Sequence, residues 1–303
     1  MTDSPIDVVY FWCDGSDPAF ARRRAAAAVM FGIGERLSND DSGYLQAGEL
    51  RYSVASVRRH MPWVRDVVVV TDGQDPGIPG VRLVNHSDVF APDQLPCFNP
   101  YVLEAGVLNV PGLADRFILA NDDTFVRKPV PPGFFFGEGT VSRFRIAKPD
   151  PACIYQSAID RSYDLFNARF GTSYEHLLPH HNLDAYRRSS VERCVDAFRD
   201  EYAEFARCHF RGRDNLHRVL WNLYDMTFCG GRSKIVNDGS RPVDSIYLMN
   251  TQEDIETVLA DADPALFCIN DTRFSLDADR RRTATVLCSL FSGTQTKGNE
   301  IDT

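Results

Sequence analysis

Acidic and amide side chains recur directly after short apolar runs of the sequence, and most of the residues that could bind a ligand or take part in a reaction lie at these positions. The residues that follow the five runs are Asp14 with Asp17, then Asp72, then Asn85 with His86, then Asn121, Asp122 and Asp123, and last Asn270 with Asp271. In an open parallel sheet the carboxyl ends of the strands form the ligand crevice, so five polar ends favour a binding site there. Asp and Asn are also preferred helix caps and turn formers, which explains any single position equally well.

The run Asn121-Asp122-Asp123 predicts a metal site. Its two adjacent carboxylates follow the apolar run Phe117 to Ala120, which places them at a strand end. Carboxylate oxygens suit Mg²⁺ and Mn²⁺, with phosphate oxygens completing the coordination shell. We therefore predict that Asp122 and Asp123 hold Mg²⁺ or Mn²⁺.

Two further candidates lie in the middle of the chain. His180 and His181 follow a short apolar stretch, and histidine is the usual general base near neutral pH. Arg211 offers a guanidinium that fits a phosphate through two parallel hydrogen bonds. Paired histidines on a loop are often incidental, and a lone arginine often serves in a surface ion pair, so residue type alone leaves both roles open.

The apolar runs themselves are predicted strands. They are nearly continuous in β-branched and aromatic residues, as in strands that helices cover on both faces. The four strands of the first half are predicted at Asp7 to Trp12, Val67 to Thr71, Val81 to Val84 and Phe117 to Ala120. Apolar residues at helical spacing predict helices from Glu49 to Met61 and from Pro100 to Leu108. This alternation implies an α/β fold with a doubly wound parallel sheet.

We predict a Rossmann-like, GT-A-like parallel-sheet core with a mainly helical insertion. The insertion includes a helical stripe from Ser190 to Ala206. A late strand, Leu266 to Ile269, and a late helix, Asp277 to Phe291, are expected to return to the core sheet. The predicted boundaries are 1–148 for the core, 149–240 for the insertion that carries His181 and Arg211, 241–291 for the return to the core sheet, and 292–303 for a flexible tail.

Composition argues against some classes of function and favours one cellular compartment. The formal net charge of −9 argues against broad nucleic-acid binding, which needs a basic surface. The eight cysteines include no C-x-x-C pair and suit a reducing cytoplasm. No apolar stretch approaches the roughly 20 residues that span a bilayer, and the short polar start is unlike a signal peptide. We expect a cytoplasmic protein without a transmembrane segment, with peripheral docking to the inner membrane left open and the oligomeric state unknown.

Four blocks of the sequence resemble, in order, the conserved blocks of the Stealth proteins. The first is Ile6 to Pro18, which reads IDVVYFWCDGSDP against roughly IDVVYTWVDGSDP in the family. The second comprises Gly48 to Ser53, Pro62 to Arg65, Val70 to Gln74, Leu95 to Asn99, Glu104 and Asn121 to Asp123. The third runs from His181 to Arg211, and the short fourth from Phe267 to Asp271.

The resemblance implies an enzyme that transfers a sugar-1-phosphate from a nucleotide sugar to an acceptor hydroxyl. The donor would be UDP-linked, for example UDP-GlcNAc, and the products would be a phosphodiester and a nucleoside monophosphate. The family includes bacterial polymerases of capsule polysaccharide and the animal transferase that tags lysosomal glycoproteins with N-acetylglucosamine-1-phosphate. A carbohydrate or a small-molecule hydroxyl would be the acceptor, as in exopolysaccharide biosynthesis, and no nucleic-acid partner is expected.

The resemblance also assigns roles by position. His181, Arg211, Asp123 and Asp271 would be catalytic, with His181 taking the acceptor proton and Arg211 stabilising the transferred group. The residues that would bind the donor are Trp12, Asp14, Gly15, Ser16, Asp17, Arg51, Asp72, Asn99 and Asn270. The third block departs from the family at Leu183, where relatives often have proline, so His180 stays an alternative to His181.

Two other functions fit the same residues. A metal-dependent glycosyltransferase would use the acidic site but release a nucleoside diphosphate, and it would not need His181 or Arg211. A non-catalytic nucleotide-sugar binding protein would need neither residue. The sequence names neither the sugar and base of the donor nor the acceptor, and hydrolysis with water as the acceptor is not excluded.

Overall fold

A computed structural model describes residues 4–33, 44–146, 148, 150, 152–237 and 244–291 of the chain. Its strands are β1 (Ile6–Phe11), β2 (Val67–Thr71), β3 (Arg82–Asn85), β4 (Arg116–Ala120), β5 (Thr124–Val126), β6 (Val141–Arg145), β7 (Leu178–Pro179), β8 (Asp184–Arg187), β9 (Arg232–Asn237), β10 (Ser245–Met249) and β11 (Leu266–Asn270). Its helices are α1 (Pro18–Met30), α2 (Glu49–His60), α3 (His86–Val89), α4 (Pro100–Ala105), α5 (Ile154–Phe170), α6 (Arg188–Ala197), α7 (Arg199–Phe205), α8 (Val219–Phe228), α9 (Ile255–Ala262) and α10 (Asp277–Phe291).

The central sheet has the strand order β3-β2-β1-β4-β8. Its first four strands are parallel, and Tyr10 of β1 lies between Val69 of β2 and Ala120 of β4. Strand β8 closes the edge antiparallel to β4. The predicted α/β class, the four early strands and the parallel core are confirmed, and the carboxyl ends of β1, β2 and β4 meet at one edge.

Both faces of this sheet are covered, which explains why its strands read as continuous apolar runs. On one face, Val54 and Val57 of α2 pack against Val8 and Tyr10. On the other, the helices that follow residue 150 pack against Val9, Val68 and Phe117, with Trp221 among the buried side chains. Each such fully buried side chain contributes about 1.5–3 kcal/mol. Because β1 and β4 are packed between two layers, the positions at which their following loops begin are fixed.

The late strand β11 does not join the central sheet, contrary to the prediction that 241–291 returns there. It pairs in parallel with β10 and antiparallel with the short strand β5. The reason is that β8 already occupies the free edge of β4. Strand β5 leaves β4 through Asn121–Asp123 and turns toward β11, so the acidic run lies at the junction of two sheets.

The predicted insertion is mainly helical, but it also completes the core. It contributes the helices α5 to α8, the edge strand β8, and strands β7 and β9, which flank β6 in a third sheet. The stripe predicted from Ser190 to Ala206 forms two helices, α6 and α7, separated at the fully buried Phe198. The tail predicted at 292–303 lies outside the described residues. Within the described part of the chain, no helix has the length and apolar character needed to cross a bilayer.

Candidate active site

The loops that follow β1 and β2 are bound to each other and form one wall of the crevice. The backbone N–H of Asp14 donates to Gln74 Oε1 at 2.8 Å, and Gln74 Nε2 donates to the Asp14 carbonyl at 2.9 Å. Asp17 caps α1, because its carboxylate accepts from the Ala19 N–H at 2.8 Å. Asp72, at the end of β2, forms an ion pair with Arg23 of that helix. The first helix is therefore held beside the strand ends by two of the predicted site residues.

Gly15 allows the loop after β1 to fold closely. A Cβ at this position would lie 2.4 Å from Tyr44 Cβ and 2.6 Å from the Tyr44 carbonyl oxygen, far inside contact distance. The Gly15 N–H donates to that same carbonyl at 2.8 Å. Ser16 Oγ donates to Asp14 Oδ1 at 2.6 Å, which fixes the orientation of the Asp14 carboxylate. The DGSD motif is thus a rigid turn at the rim of the crevice.

A hydrogen-bond chain connects this turn to the acidic run. Trp12 Nε1 donates to Gln46 Oε1 at 3.1 Å, and Gln46 Nε2 donates to Asp122 Oδ2 at 2.8 Å. Gln46 could not be identified from the sequence, because a single glutamine outside the motifs gives no signal. Its position explains how Trp12 and Asp122, which are far apart in sequence, share one site.

Carboxylates are concentrated at the floor of the crevice. Burial and repulsion from Asp123 raise the pKa of Asp122 to about 6. Burial and the charge of Asp122 raise the pKa of Glu49, at the start of α2, to about 7. Both shifts mean that the ionised carboxylates are poorly stabilised, first because burial removes solvent and then because neighbouring carboxylates are not offset by positive charge. A divalent cation would supply that charge, and adjacent carboxylate oxygens are ligands it accepts.

Asp123 contacts His181 and Cys268, which approach from two other elements. His181 Nε2 lies 3.2 Å from both carboxylate oxygens of Asp123 and 3.3 Å from Asn121 Nδ2. Cys268 Sγ on β11 donates to Asp123 Oδ2 at 3.3 Å. Burial alone would lower the pKa of His181, but the charge of Asp123 and the hydrogen bond to it outweigh burial and raise the pKa. These side chains form an imidazole–carboxylate pair with a thiol beside it.

His180 lies apart from this pair. Its side chain is buried, its Nδ1 is 3.2 Å from Ser245 Oγ, and its backbone N–H donates to the Arg143 carbonyl at 2.9 Å. Burial, and then the charge of Arg145, lower the pKa of His180 to about 4. Of the two histidines, the one whose ring contacts the acidic run is His181.

A buried ionic cluster next to His181 was missed by sequence reasoning. Arg218, directly before α8, contacts Glu104 of α4 and forms a 2.9 Å ion pair with Asp184 of β8. Glu104 Oε2, Arg218 Nε and the hydroxyl of Tyr186 are buried without a hydrogen-bond partner among the described residues. The available signal was an arginine at the start of the apolar run of α8, because a buried arginine must be paired.

Arg211 lies at the rim of this cluster. Its guanidinium carbon is 5.2 Å from the centre of the Tyr101 ring, and its side chain is exposed. Burial raises the pKa of Glu104, and the charges of Arg218, His181 and Arg211 oppose that rise. His181 and Arg211 therefore lie within electrostatic reach of the same carboxylate, although 30 positions separate them in the sequence.

Asn99 fixes the segment that carries Arg211. The fully buried Asn99 amide donates to the carbonyls of Cys208 and Phe210 at 3.0 and 3.1 Å and to Asn215 Oδ1 at 2.9 Å. The Phe98 N–H donates to the His209 carbonyl in the same segment. The predicted donor-binding Asn99 therefore holds the residues on both sides of Arg211 in place.

The remaining predicted residues contact neighbours outside the Asp123–His181 pair. Asp271 is held by Arg280 at 2.7 Å and by Asn250 at 2.8 Å, and Asn270 donates to the Asp271 carbonyl at 2.7 Å. Arg51 is exposed, with its guanidinium 5.0 Å from the centre of the Tyr52 ring. None of these contacts reaches the Asp123–His181 pair.

Comparison with known proteins gives one family match and several relatives. Residues 43–144 match the family model Stealth protein CR2, conserved region 2. The chain is 31% identical to the exopolysaccharide phosphotransferase SCO6021 of Streptomyces coelicolor, over 95% of this chain and 55% of the relative. It is 29% identical to the capsular polysaccharide phosphotransferase LcbA of Neisseria meningitidis, over 88% of this chain and 77% of the relative. The chain therefore spans about half the length of the Streptomyces relative.

Among solved structures, the chain is similar to the galactosyltransferase LgtC in complex with donor and acceptor sugar analogues. The TM-score is 0.44 and the identity 12%, over 97% of this chain and 98% of that one.

Proposed function

The chain belongs to the Stealth family, and from that premise we propose that it transfers a sugar-1-phosphate from a nucleotide sugar to an acceptor hydroxyl. One observation carries the proposal. The imidazole of His181 is held against Asp123 at the point where the acidic run, the edge strand β8 and strand β11 meet. A transfer to a hydroxyl needs a base that is oriented beside a site for a diphosphate, and the position of His181 beside the acidic run supports such an arrangement.

His181 is proposed as the base for the acceptor hydroxyl. Its Nε2 faces Asp123, and among the described residues Nδ1 has no hydrogen-bond partner. With the proton on Nε2 donated to Asp123, Nδ1 can accept the proton of the attacking hydroxyl. Asp123 then stabilises the imidazolium that forms, the role a carboxylate has in other carboxylate–histidine pairs.

The proposed reaction is a displacement at the phosphorus next to the sugar. The acceptor oxygen forms a bond to this phosphorus as the bond to the nucleoside monophosphate oxygen breaks, and the acceptor proton passes to His181. Charge grows on the equatorial phosphate oxygens, and an arginine stabilises such charge through paired hydrogen bonds. Arg211 is suited to this role because its exposed guanidinium is held above Tyr101 while its backbone segment is fixed by Asn99.

Asp122 and Asp123 fit a hard divalent cation, Mg²⁺ or Mn²⁺. The fit rests on their adjacency and on the raised pKa values of Asp122 and Glu49, which burial and mutual repulsion cause and an added dication would relieve. Such an ion, when bound, neutralises diphosphate charge and assists departure of the leaving group. Gln46 meanwhile fixes one oxygen of Asp122.

The donor pocket is proposed between the rigid turn after β1 and the floor. The proposed lining of this pocket comes from the turn itself and consists of Trp12, Gly15 and Ser16. The turn is held in place through the hydrogen bonds and ion pair of Asp14, Asp17 and Asp72. Arg51 is a candidate contact for the donor because its side chain is exposed. Asn99 is proposed to position the segment that carries Arg211, whereas Asn270 and Asp271 are proposed to contact the donor or the transferred group at the end of β11.

The donor is proposed to be UDP-linked, and the acceptor a carbohydrate or small-molecule hydroxyl. The names of the relatives support exopolysaccharide or capsule biosynthesis. All eight cysteines are unpaired thiols, which supports the cytoplasm as the compartment.

The test identifies the nucleotide that the reaction releases. The purified protein is incubated with Mg²⁺ or Mn²⁺, a panel of UDP-, GDP- and CDP-sugars and simple sugar acceptors. We expect nucleoside monophosphate and a new phosphodiester. Release of nucleoside diphosphate would identify a glycosyltransferase and remove the roles given to His181 and Arg211.

Paired variants of the two histidines test the base. His181→Ala is expected to lower turnover by about 10²–10⁴-fold, the usual contribution of a general base, with donor affinity nearly unchanged. His180→Ala is the matched control and should keep turnover, because the His180 ring bonds Ser245 rather than the acidic run. Equal losses in both variants, with both folded, would contradict this assignment.

A further inference from the structure

We propose that Asp123, His181 and Cys268 also form a binding site for a thiophilic divalent ion such as Zn²⁺, and that occupancy of this site inhibits the enzyme. The binding site stands on its own geometry, whereas the inhibition rests on the proposed function. Among the described residues, this is the group of metal-ligating side chains whose donor atoms all lie within 4.8 Å of one another.

The two distances to Asp123 match edges of a tetrahedral metal site. His181 Nε2 lies 3.2 Å from each Asp123 oxygen, and Cys268 Sγ lies 3.3 Å from Asp123 Oδ2. Zinc bonds of ordinary length at tetrahedral angles give about 3.3 Å between nitrogen and oxygen and about 3.5 Å between sulfur and oxygen. The third edge, between His181 Nε2 and Cys268 Sγ, is no longer than 4.8 Å, so moving these two side chains toward each other by at most about 1.3 Å would place all three atoms around one ion.

The donor set selects the kind of ion. One carboxylate, one imidazole and one thiolate suit Zn²⁺ and similar transition ions, whereas Mg²⁺ prefers oxygen ligands alone. Three protein ligands also leave a fourth tetrahedral position for water or substrate. Magnesium would be held by oxygen atoms of Asp122 and Asp123 and would leave the Cys268 thiol protonated. The thiophilic ion would instead use the nitrogen of His181 and the sulfur of Cys268, so Asp123 is the ligand that the two sites share.

The scaffold holds these donors in place before any ion arrives. Cys268 is fully buried in β11, where it pairs with Thr124. The N–H of the next residue, Ile269, donates to the Asp123 carbonyl at 3.0 Å, which fixes the two ligands relative to each other. The His181 ring meets the Tyr247 ring edge-on at 6.0 Å. Little conformational entropy is then lost on binding.

Occupancy of this site would disable the base. The ion bonds His181 Nε2, so the remaining ring proton must sit on Nδ1, which can no longer accept the acceptor proton. The thiol loses its proton to solvent as its sulfur bonds the ion, so one proton is released for each ion bound. Zn²⁺ would also compete with Mg²⁺ for the carboxylate of Asp123.

Cobalt spectroscopy tests the site without any assay of activity. Co²⁺ added to the full chain is expected to produce a thiolate-to-cobalt charge-transfer band, which Zn²⁺ should abolish by displacement. Cys268→Ser should lose the band and weaken Zn²⁺ binding, measured by calorimetry, by at least about tenfold, the lower bound for loss of a supporting group at metal sites. His181→Gln keeps the thiol and should also weaken binding, which covers the case in which Cys268→Ser fails to fold.

The exposed thiol of Cys288 provides the matched control. Cys288→Ser should keep both the band and the Zn²⁺ affinity. A band that persists in Cys268→Ser, or that disappears in Cys288→Ser alone, would overturn the site.

Activity supplies the second arm of the test. With Mg²⁺ present, Zn²⁺ should inhibit the wild-type protein, and Cys268→Ser should need at least about tenfold more Zn²⁺ for the same fractional inhibition. Unchanged Zn²⁺ sensitivity in that variant would overturn the inhibitory role. A protein that shows the cobalt band but no transfer would keep the metal site and refute the proposed function, so the two failures are distinguishable.

Discussion

Replacing Asp123 with asparagine tests the coupling on which the proposed mechanism depends. The variant keeps the size of the side chain and removes the negative charge beside His181 Nε2. At 3.2 Å, the attraction between imidazolium and carboxylate is about 5 kcal/mol at an effective dielectric constant of 20, and about 1.3 kcal/mol in water. The side chains are 23% and 17% exposed, which places the pair between these limits. We therefore expect kcat/KM to fall by about 10²–10³-fold.

The same variant should also shift the pH dependence of kcat/KM in a predictable direction. The base must be unprotonated, and Asp123 raises the pKa of His181 against the effect of burial, so activity of the wild-type protein should fall on the acid side of that raised pKa. In Asp123→Asn the acid limb of kcat/KM should move to lower pH, because the imidazolium has lost its partner. The profiles are measured at saturating metal, because Asp123 is also a proposed metal ligand.

A double-mutant cycle separates coupling through His181 from other effects. At saturating metal, Asp123→Asn should cost clearly less activity in a His181→Ala background than in the wild-type protein. The matched control is Asp160→Asn, which breaks a second carboxylate–histidine pair, with His176 at 3.1 Å, on the surface of α5. An unmoved acid limb, or an equal loss in the presence and absence of His181, would refute the reasoning.

Three further variants test the scaffold around the site. Gly15→Ala places a Cβ 2.4 Å from Tyr44 Cβ and should destabilise the protein by about 1–3 kcal/mol, measured by denaturant unfolding; an unchanged midpoint would mean that the turn can relax. Arg218→Met leaves two buried carboxylates without their cation and should cost about 3–5 kcal/mol of stability by the same measurement, and a neutral effect would contradict the observed pairing. Asn99→Ala removes the amide contacts to the segment before Arg211 and should lower kcat more than it raises KM. In an Arg211→Ala background the same change should leave kcat nearly unaltered, and a full loss there would show that Asn99 acts elsewhere.

The parallel core could be predicted from the sequence because its strands are buried on both faces. Strand β2 reads Val-Val-Val-Val-Thr and has no exposed residue, so composition alone identifies it. Helix α2 was equally clear, since its apolar residues recur at helical spacing. Local pattern and burial agree in these elements, which is why their predicted and observed bounds nearly coincide.

The position of β11 could not be predicted, because strand pairing is decided by competition for an edge. The run Leu266 to Asn270 is as apolar as β4, and it was correctly predicted to be a strand. Its partner depended on β8, a short strand whose sequence Asp-Ala-Tyr-Arg carries no strong strand signal. Because β8 takes the edge of β4, β11 pairs elsewhere and brings Cys268 to Asp123.

The candidate site residues also divide into those that the sequence identifies and those that it does not. Asp122, Asp123 and His181 could be chosen as candidates because they lie at strand ends or within family blocks, and the structure brings His181 into contact with Asp123. Gln46 and Arg218 were missed, since each acts through a partner that is remote in the chain and has no motif of its own.

The charge distribution explains why the site needs components from so many segments. Its floor is anionic, with the raised pKa values of Asp122 and Glu49, which burial chiefly causes, recording how weakly that charge is compensated. A diphosphate would be repelled from such a floor in the absence of a cation, so the acidic run suits phosphoryl chemistry only together with a metal ion. Arg218 cannot supply the missing charge, because it is buried and committed to Glu104 and Asp184. Under the proposed function, recognition of the substrate by arginine would therefore fall to exposed side chains such as Arg211, whose guanidinium lies 5.2 Å from the Tyr101 ring.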